Sequence, residues 1–74
     1  MIYTKHALRR MAQRKVTREQ VESTYRDCET SVPGYDDCRN YFKRYPAEGR
    51  KLRVTIAETE EGPMVVTVAE DAIP

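Results

Sequence analysis

The sequence predicts an α+β fold in which two N-terminal helices pack on a three- to four-stranded antiparallel sheet. Apolar residues recur with the helical period of about 3.6 residues in the first half of the chain and alternate with period 2 in the second half. The 74 residues allow one small core. We therefore predict a single domain over residues 1–74, with helices at about 4–15 and 17–29 and strands at about 39–45, 51–58 and 63–70.

The first helix is predicted by its apolar spacing and its start signal. Ala7, Leu8, Met11 and Ala12 fall on one arc of a helical projection. Thr4 has the side chain of a good N-cap. The β-branched and aromatic residues 2–4, just before the helix, favour a short leading strand.

The second helix has a stronger start signal. Thr17 followed by Gln20 forms a capping box, and Val16 is spaced to pack on Val21 as a hydrophobic staple. The pair Pro33-Gly34 then breaks the helical pattern, so we expect the helix to end near residues 29–31.

The second half of the chain is predicted to form strands. Residues 39–45 are rich in β-favouring aromatic side chains, and Leu52, Val54 and Ile56 alternate with polar residues. Residues 64–69 form the most apolar run, which favours the central position in the sheet. Short sequential strands of this kind favour an antiparallel arrangement, with both helices on one face.

The formal net charge of +1 conceals four blocks of alternating sign. Residues 1–18 hold six cations and no acid, and residues 39–53 hold six cations and one acid. Residues 19–38 hold six acids and one cation, and residues 54–74 hold five acids and no cation. If the two basic blocks meet in space, one face is strongly positive. The alternative is that basic and acidic blocks form ordinary surface ion pairs.

Composition excludes several classes of protein. No run of about 18 apolar residues exists to span a membrane, and the N-terminus lacks the apolar run of a secretory signal, so we expect a cytoplasmic protein. Cys28 and Cys38 match no zinc spacing and are expected to be free thiols in that compartment, with a structural disulfide as the alternative. No metal site and no cofactor are predicted.

Three residues of the first helix form a candidate catalytic set. His6, Arg10 and Arg14 are spaced at i, i+4 and i+8, which places them in one row on a helix. Histidine transfers protons near neutral pH, and arginine binds phosphate oxygens with two parallel hydrogen bonds. These groups are the minimum for phosphodiester cleavage without a metal. The alternative is an ordinary solvated helix face with an inert histidine.

The basic and aromatic residues of 39–45 form a candidate binding set for single-stranded nucleic acid. If Arg39, Tyr41, Lys43 and Tyr45 share the open side of the sheet, their rings can stack on unpaired bases while the cations hold the backbone. Asn40, Phe42 and Arg44 would then lean toward the core. A one-residue slip exchanges the two sets, and ordinary cross-strand packing of the tyrosines is the alternative to binding.

The N-terminal segment resembles a known bacterial family. Its pattern His-Ala-x-x-Arg-Met-x-x-Arg, followed by a Thr and a Val four residues later, resembles the start of the family called domain of unknown function 4258. The strands of residues 39–45, 52–54 and 65–68 resemble the later part of that family. The matching positions at the start of the chain are His6, Ala7, Arg10, Met11, Arg14, Thr17 and Val21.

The resemblance implies a RelE-like layout, similar to the barnase/EndoU/colicin/RelE group of small metal-independent ribonucleases, which often act as toxins. It implies that His6 is the base or acid, that Arg10 and Arg14 bind phosphate, and that Thr67 with Arg44 or Tyr41 assists from the sheet. We therefore expect a metal-independent endoribonuclease, with RNA and an antitoxin protein as partners. The alternative is a non-catalytic module that binds RNA or protein through the same face, and a homodimer through a sheet edge is a further expectation. The expected substrate-binding residues are Arg39, Tyr41, Lys43, Arg44, Tyr45 and Thr67.

Overall fold

The structure is a computed structural model that describes residues 1–72. It contains two helices and five strands, so the α+β class is confirmed. In chain order the elements are β1 (Ile2–Tyr3), α1 (Lys5–Arg14), α2 (Arg18–Arg26), β2 (Thr30–Pro33), β3 (Cys38–Tyr45), a short 3-10 helix (Pro46–Glu48), β4 (Arg50–Thr59) and β5 (Gly62–Ala72).

The strands form one mixed sheet in the order β1-β5-β4-β3-β2. The pairs from β2 to β5 are antiparallel, but β1 pairs in parallel with β5. The prediction of three or four antiparallel strands is therefore wrong in number and in type. Strand β2 escaped prediction because Pro33 and Gly34 read as a turn, although proline is tolerated on an edge strand. The central strand is β4, not β5.

Both predicted helix starts are confirmed. The Ala7 N–H donates to Thr4 Oγ1 (3.0 Å), and the Thr17–Gln20 capping box forms in both directions. The second helix, however, ends at Arg26 instead of 29, because the Glu29 N–H donates to the Phe42 carbonyl (2.8 Å). That residue has already joined the β-ladder that continues through β2.

One hydrophobic core lies between the two helices and one face of the sheet. We call this the helix face and the opposite side of β3, β4 and β5 the open face. Four half-buried tyrosines, at positions 3, 25, 41 and 45, extend the core at its margin. Its fully enclosed apolar members are Ala7, Met11, Val16, Val21, Leu52, Val54, Ile56, Val65 and Val68.

Arg50 ties the corner between the helices to the sheet. Its side chain is only 12% exposed. Burial lowers the pKa of this guanidinium, but hydrogen bonds to Glu70 and Glu48 outweigh burial and the pKa is raised. Arg50 thus stays charged and closes the C-terminal end of α1, where helix carbonyls lack partners. The guanidinium donates to the carbonyls of Arg14 (2.6 Å) and Lys15 (3.0 Å), to Glu48 Oε1 (2.9 Å), to Glu70 Oε2 (2.9 Å) and to Gln20 Oε1 (3.3 Å).

The sheet has two free edges within residues 1–72. No strand in this range pairs with the outer edge of β2, and none pairs with β5 beyond Val65 on its outer side. Free edges are templates for pairing with another chain. The expected homodimer therefore stays a prediction.

Removing the Arg50 side chain should strongly destabilise the fold. We expect Arg50→Ala to lower the free energy of unfolding by about 3 kcal/mol, because Glu70 and the helix carbonyls lose their buried partner. Urea unfolding followed by circular dichroism measures this. If the variant is too unstable to fit, Arg50→Lys, which keeps the charge but not the fork of donors, should give a smaller loss.

Arg44→Ala is the matched control, because Arg44 also bridges a glutamate but its side chain is 61% exposed. Solvent screens an exposed pair of this kind, so Arg44→Ala should destabilise the fold much less than Arg50→Ala. Equal losses for the two arginines would contradict the assigned role of Arg50.

Candidate functional site

A β-bulge fixes where helix α1 begins. The register between β4 and β5 shifts after Thr55, so that Val66 is an extra residue on β5. The Thr4 hydroxyl donates to the Val66 carbonyl (3.0 Å), and the Thr4 N–H donates to the Val65 carbonyl (3.2 Å). Because Thr4 is also the N-cap, the helix starts against the bulge. Bulges often re-aim side chains in this way next to functional sites.

The bulge places His6 beside Thr67. The distance between His6 Nε2 and Thr67 Oγ1 is 3.1 Å, and His6 is exposed. Thr67 is the register partner of Thr55, whose neighbours Val54 and Ile56 are buried on the helix face, so it belongs to the open face. The hydrogen bond orients the imidazole through one ring nitrogen. No residue in 1–72 hydrogen-bonds the other nitrogen, Nδ1.

Three arginines line a cleft that continues from Thr67 along the outer edge of β5. Arg10 and Arg14 come from α1, and Arg53 comes from the open face of β4. We call this space the α1–β5 cleft; its volume is about 280 Å³. Ala69 forms part of its floor, and a small side chain there leaves the space unfilled. The other residues that line it are Val68, Glu70 and Asp71.

The charges in the α1–β5 cleft are unevenly paired. Arg14 lies 4.0 Å from Glu70, a carboxylate that Arg50 also holds at 2.9 Å. Within residues 1–72, neither Arg10 nor Arg53 forms a salt bridge. The cleft therefore has guanidinium groups available for an anion.

The arrangement on β3 differs from the favoured prediction. Tyr41 pairs with Val54 and Lys43 pairs with Leu52, and both partners are buried under the helices. Arg39, Tyr41, Lys43 and Tyr45 therefore lie on the helix face and do not share the open side. The alternative register, in which the two sets exchange, is the one observed. On this face Tyr41 and Tyr45 pack against the apolar core.

The helix-face residues of β3 contact α2. Tyr41 packs edge-on against Tyr25, with ring centroids 4.9 Å apart. Lys43 donates to Ser23 Oγ (2.7 Å). The Tyr45 hydroxyl donates to the Gln20 carbonyl (3.0 Å). The contacts of Tyr41, Lys43 and Tyr45 hold the helix on the sheet, whereas Arg39 donates to Ser31 Oγ (3.0 Å) on the neighbouring strand β2.

The opposite set on β3 faces solvent. Phe42 pairs with Arg53, and Arg44 pairs with Lys51. The Arg44 guanidinium binds both carboxylate oxygens of Glu29, and these hydrogen bonds lower the pKa of Glu29. Asn40, Phe42 and Arg44, which would lean toward the core in the first arrangement, therefore all lie on the open face. Arg44 is the one member of the predicted β3 binding set on this side.

Except for Arg44, which lies on the open face outside the α1–β5 cleft, the predicted site residues divide into two groups. The structure brings together His6, Arg10, Arg14 and Thr67, and it places Arg39, Tyr41, Lys43 and Tyr45 on the other face of the sheet. Sequence reasoning missed Arg53 as a site residue. Its alternation with Leu52 and Val54 already placed it away from the core, but only the pairing of β4 with β5 brings it to α1.

The two hypotheses about the charge blocks each hold in part. Arg10 and Arg14 of the first basic block meet Arg53 of the second in one cleft. Arg44 and Arg50, by contrast, pair with acidic residues. Both cysteines are free.

Comparison with known proteins gives one match. The family model described as "Domain of unknown function (DUF4258)" matches residues 3–70, which is most of the chain. No curated protein matches, and no solved structure matches. Over residues 1–72, no helix has the length and apolar character needed to cross a bilayer.

The hydrogen bond between Tyr25 and Glu58 has a measurable consequence. The Tyr25 hydroxyl donates to Glu58 Oε1 (2.7 Å), and this bond, aided by burial, raises the pKa of Tyr25 from 10.0 to about 12. Because the folded state holds this proton more tightly than the unfolded state, its contribution to stability is complete below pH 10 and is lost between pH 10 and about 12.

Glu58→Gln should return the pKa of Tyr25 toward 10.0, since the charged acceptor is removed. Titration of tyrosinate absorbance measures it. Glu60→Gln, in the β4–β5 turn, is the control and should leave the titration unchanged. If the pKa of Tyr25 stays raised in Glu58→Gln, the hydrogen bond from Tyr25 to Glu58 is not its cause, and the assigned contact is wrong.

Proposed function

The chain belongs to the family described as "Domain of unknown function (DUF4258)", and from that premise we propose that it is a metal-independent endoribonuclease of the RelE-like toxin type, acting on single-stranded RNA. One observation carries the proposal. Three arginines, Arg10, Arg14 and Arg53, line the α1–β5 cleft, and the imidazole of His6 is hydrogen-bonded to Thr67, which also lines it.

These groups match the needs of RNA cleavage by transesterification. His6 takes the proton of a ribose 2′-hydroxyl as general base. The 2′ oxygen then forms a bond to phosphorus while the bond from phosphorus to the 5′ oxygen breaks. The products are a 2′,3′-cyclic phosphate and a 5′-hydroxyl, whose oxygen takes a proton from the solvent of this open cleft. The arginines stabilise the negative charge that develops on the phosphoryl oxygens.

Thr67 acts as a positioning residue in this proposal. Its hydroxyl fixes the ring of His6 through Nε2 and leaves Nδ1 to face the substrate. A base whose orientation is set by a second side chain is a recurrent arrangement in catalysis by histidine.

The RelE-like part of the proposal is supported by the layout of the chain. Two N-terminal helices cover one face of the sheet, and the antiparallel run from β2 to β5 follows them. A similar arrangement of helices and strands does not by itself establish a shared activity. A toxin of this kind should also inhibit growth when expressed without its antitoxin.

The second candidate function is a non-catalytic RNA-binding module. The observation that favours it is the absence of acidic partners for Arg10 and Arg53 within residues 1–72. These cations would bind phosphate whether or not His6 transfers a proton. Cleavage and binding must therefore be measured separately.

His6→Gln should abolish cleavage without abolishing binding. Glutamine keeps a polar side chain at this exposed position but cannot accept a proton, so we expect the cleavage rate to fall by about 10²–10⁴-fold. Single-stranded RNA is incubated in EDTA across about pH 5–9, and products are tested for the cyclic phosphate end.

His6→Gln purified by the same procedure also controls for contaminating ribonuclease. Wild-type protein that is folded yet cuts no RNA would refute the nuclease proposal. Binding retained in that case would support the non-catalytic module.

RNA affinity should fall with salt in proportion to the number of phosphates held. With about three to five phosphate contacts, the slope of log affinity against log salt should be about −2 to −3.5 for a single strand. Arg53→Ala removes one contact and should reduce the magnitude of this slope by about 0.7. Arg26→Ala is the control, because Arg26 pairs with Glu22 on α2, outside the cleft. A slope near zero would rule out both the nuclease and the RNA-binding module.

A further inference from the structure

Neither helix covers the open face of the sheet, and this face carries a half-buried aromatic ring among basic side chains. We propose that Phe42 is a stacking subsite for an unpaired base of single-stranded RNA, beside the α1–β5 cleft. This inference rests on the proposed RNA substrate, but it does not require that the protein cleaves RNA. It is not the set that the sequence favoured, because the register of β3 turns Tyr41 and Tyr45 inward.

The surroundings of Phe42 fit a stacked base. The ring borders a cleft of about 350 Å³ that Glu29, Thr30, Arg44 and Lys51 also line. Lys51 Nζ lies 5.5 Å from the ring centroid, a weak cation–π contact at an exposed site. An arriving base can displace this ammonium from the ring, and the ammonium then lies next to the nucleotide's phosphate. Every base has a π-face, so stacking of this kind tolerates many sequences.

A continuous row of residues connects the ring to the proposed catalytic cleft. Phe42 pairs with Arg53, and Arg53 pairs with Ala69. Arg53 and Ala69 both line the α1–β5 cleft together with Arg10 and Arg14. Two strand spacings separate Phe42 from β5, roughly 10 Å. One short oligonucleotide can therefore contact the ring and the arginines together.

The charge along this row suits a polyanion. Arg53 lies in the middle and Arg10 lies at the far end, and neither has an acidic partner within residues 1–72. The acids nearby are largely engaged, since Arg44 holds Glu29 and Arg50 holds Glu70. Asp71 lies opposite Lys51 at the margin of the row. One aromatic ring among cations favours RNA over a protein partner, which would need a wider apolar patch.

The test uses a short RNA of about six nucleotides containing 2-aminopurine, whose fluorescence is quenched by stacking. The protein carries His6→Gln so that the RNA stays intact during titration. In this background we expect quenching on binding. Phe42→Leu should remove the quenching and weaken affinity by about 5- to 150-fold, the range for loss of one stacked base.

Two further variants make the result specific. Phe42→Trp keeps a ring and should retain both quenching and affinity. Tyr25→Phe changes an aromatic residue on the covered side of the sheet and should alter neither. Urea unfolding of Phe42→Leu checks that the lost affinity does not come from lost folding.

The outcomes separate the subsite from the nuclease proposal. RNA binding with unchanged affinity and quenching in Phe42→Leu would overturn the subsite and leave the nuclease proposal intact. Loss of binding in Phe42→Leu, with no cleavage by the wild type, would support the subsite and refute the nuclease. A protein that binds no RNA but captures a protein partner through Phe42 would overturn the subsite.

Discussion

The candidate site depends on how helix α1 is held at its two ends. At its start, Thr4 bonds the helix N-terminus to the carbonyls at the β5 bulge. At its end, the Arg50 guanidinium binds the carbonyls of Arg14 and Lys15 and joins them to Glu70 on β5. Both anchors are polar and directional, so they fix the position and the rotation of the helix. Apolar packing alone is not directional and would leave the helix free to slide.

This constraint explains why residues four apart in sequence become one row beside the sheet. A helix held parallel to the β5 edge presents its i, i+4 and i+8 positions along that edge. The opposite side of α1 supplies Ala7 and Met11 to the core. His6, Arg10 and Arg14 thus lie outside the core, where apolar packing does not determine the residue type.

The two faces of the sheet differ in composition and in what they contact. On the helix face, four tyrosines extend the core at its margin, and the hydroxyl groups of Tyr25 and Tyr45 form hydrogen bonds to Glu58 and to the Gln20 carbonyl. The open face carries Phe42 together with the basic residues Arg44, Lys51 and Arg53. The strand alternation of Lys51, Leu52, Arg53 and Val54 encodes this division directly. Within residues 1–72, the bulge near Thr55 is the one shift of register in the sheet, and it coincides with the contact between His6 and Thr67.

Local chemistry in the sequence determined the features that involve near neighbours. The caps at Thr4 and Thr17 are correct because their hydrogen bonds span only three residues. The row of His6 and two arginines follows from helical spacing, and the core side of β4 follows from alternation. Tertiary structure decided which strands pair and in which register. A shift of one residue in β3 exchanges its two faces, and basic and aromatic residues occur on both. Only the packing of Tyr41 and Tyr45 against α2 selects between them, and only the pairing of β4 with β5 brings Arg53 to Arg10. These contacts join residues far apart in sequence, so no local pattern contains them.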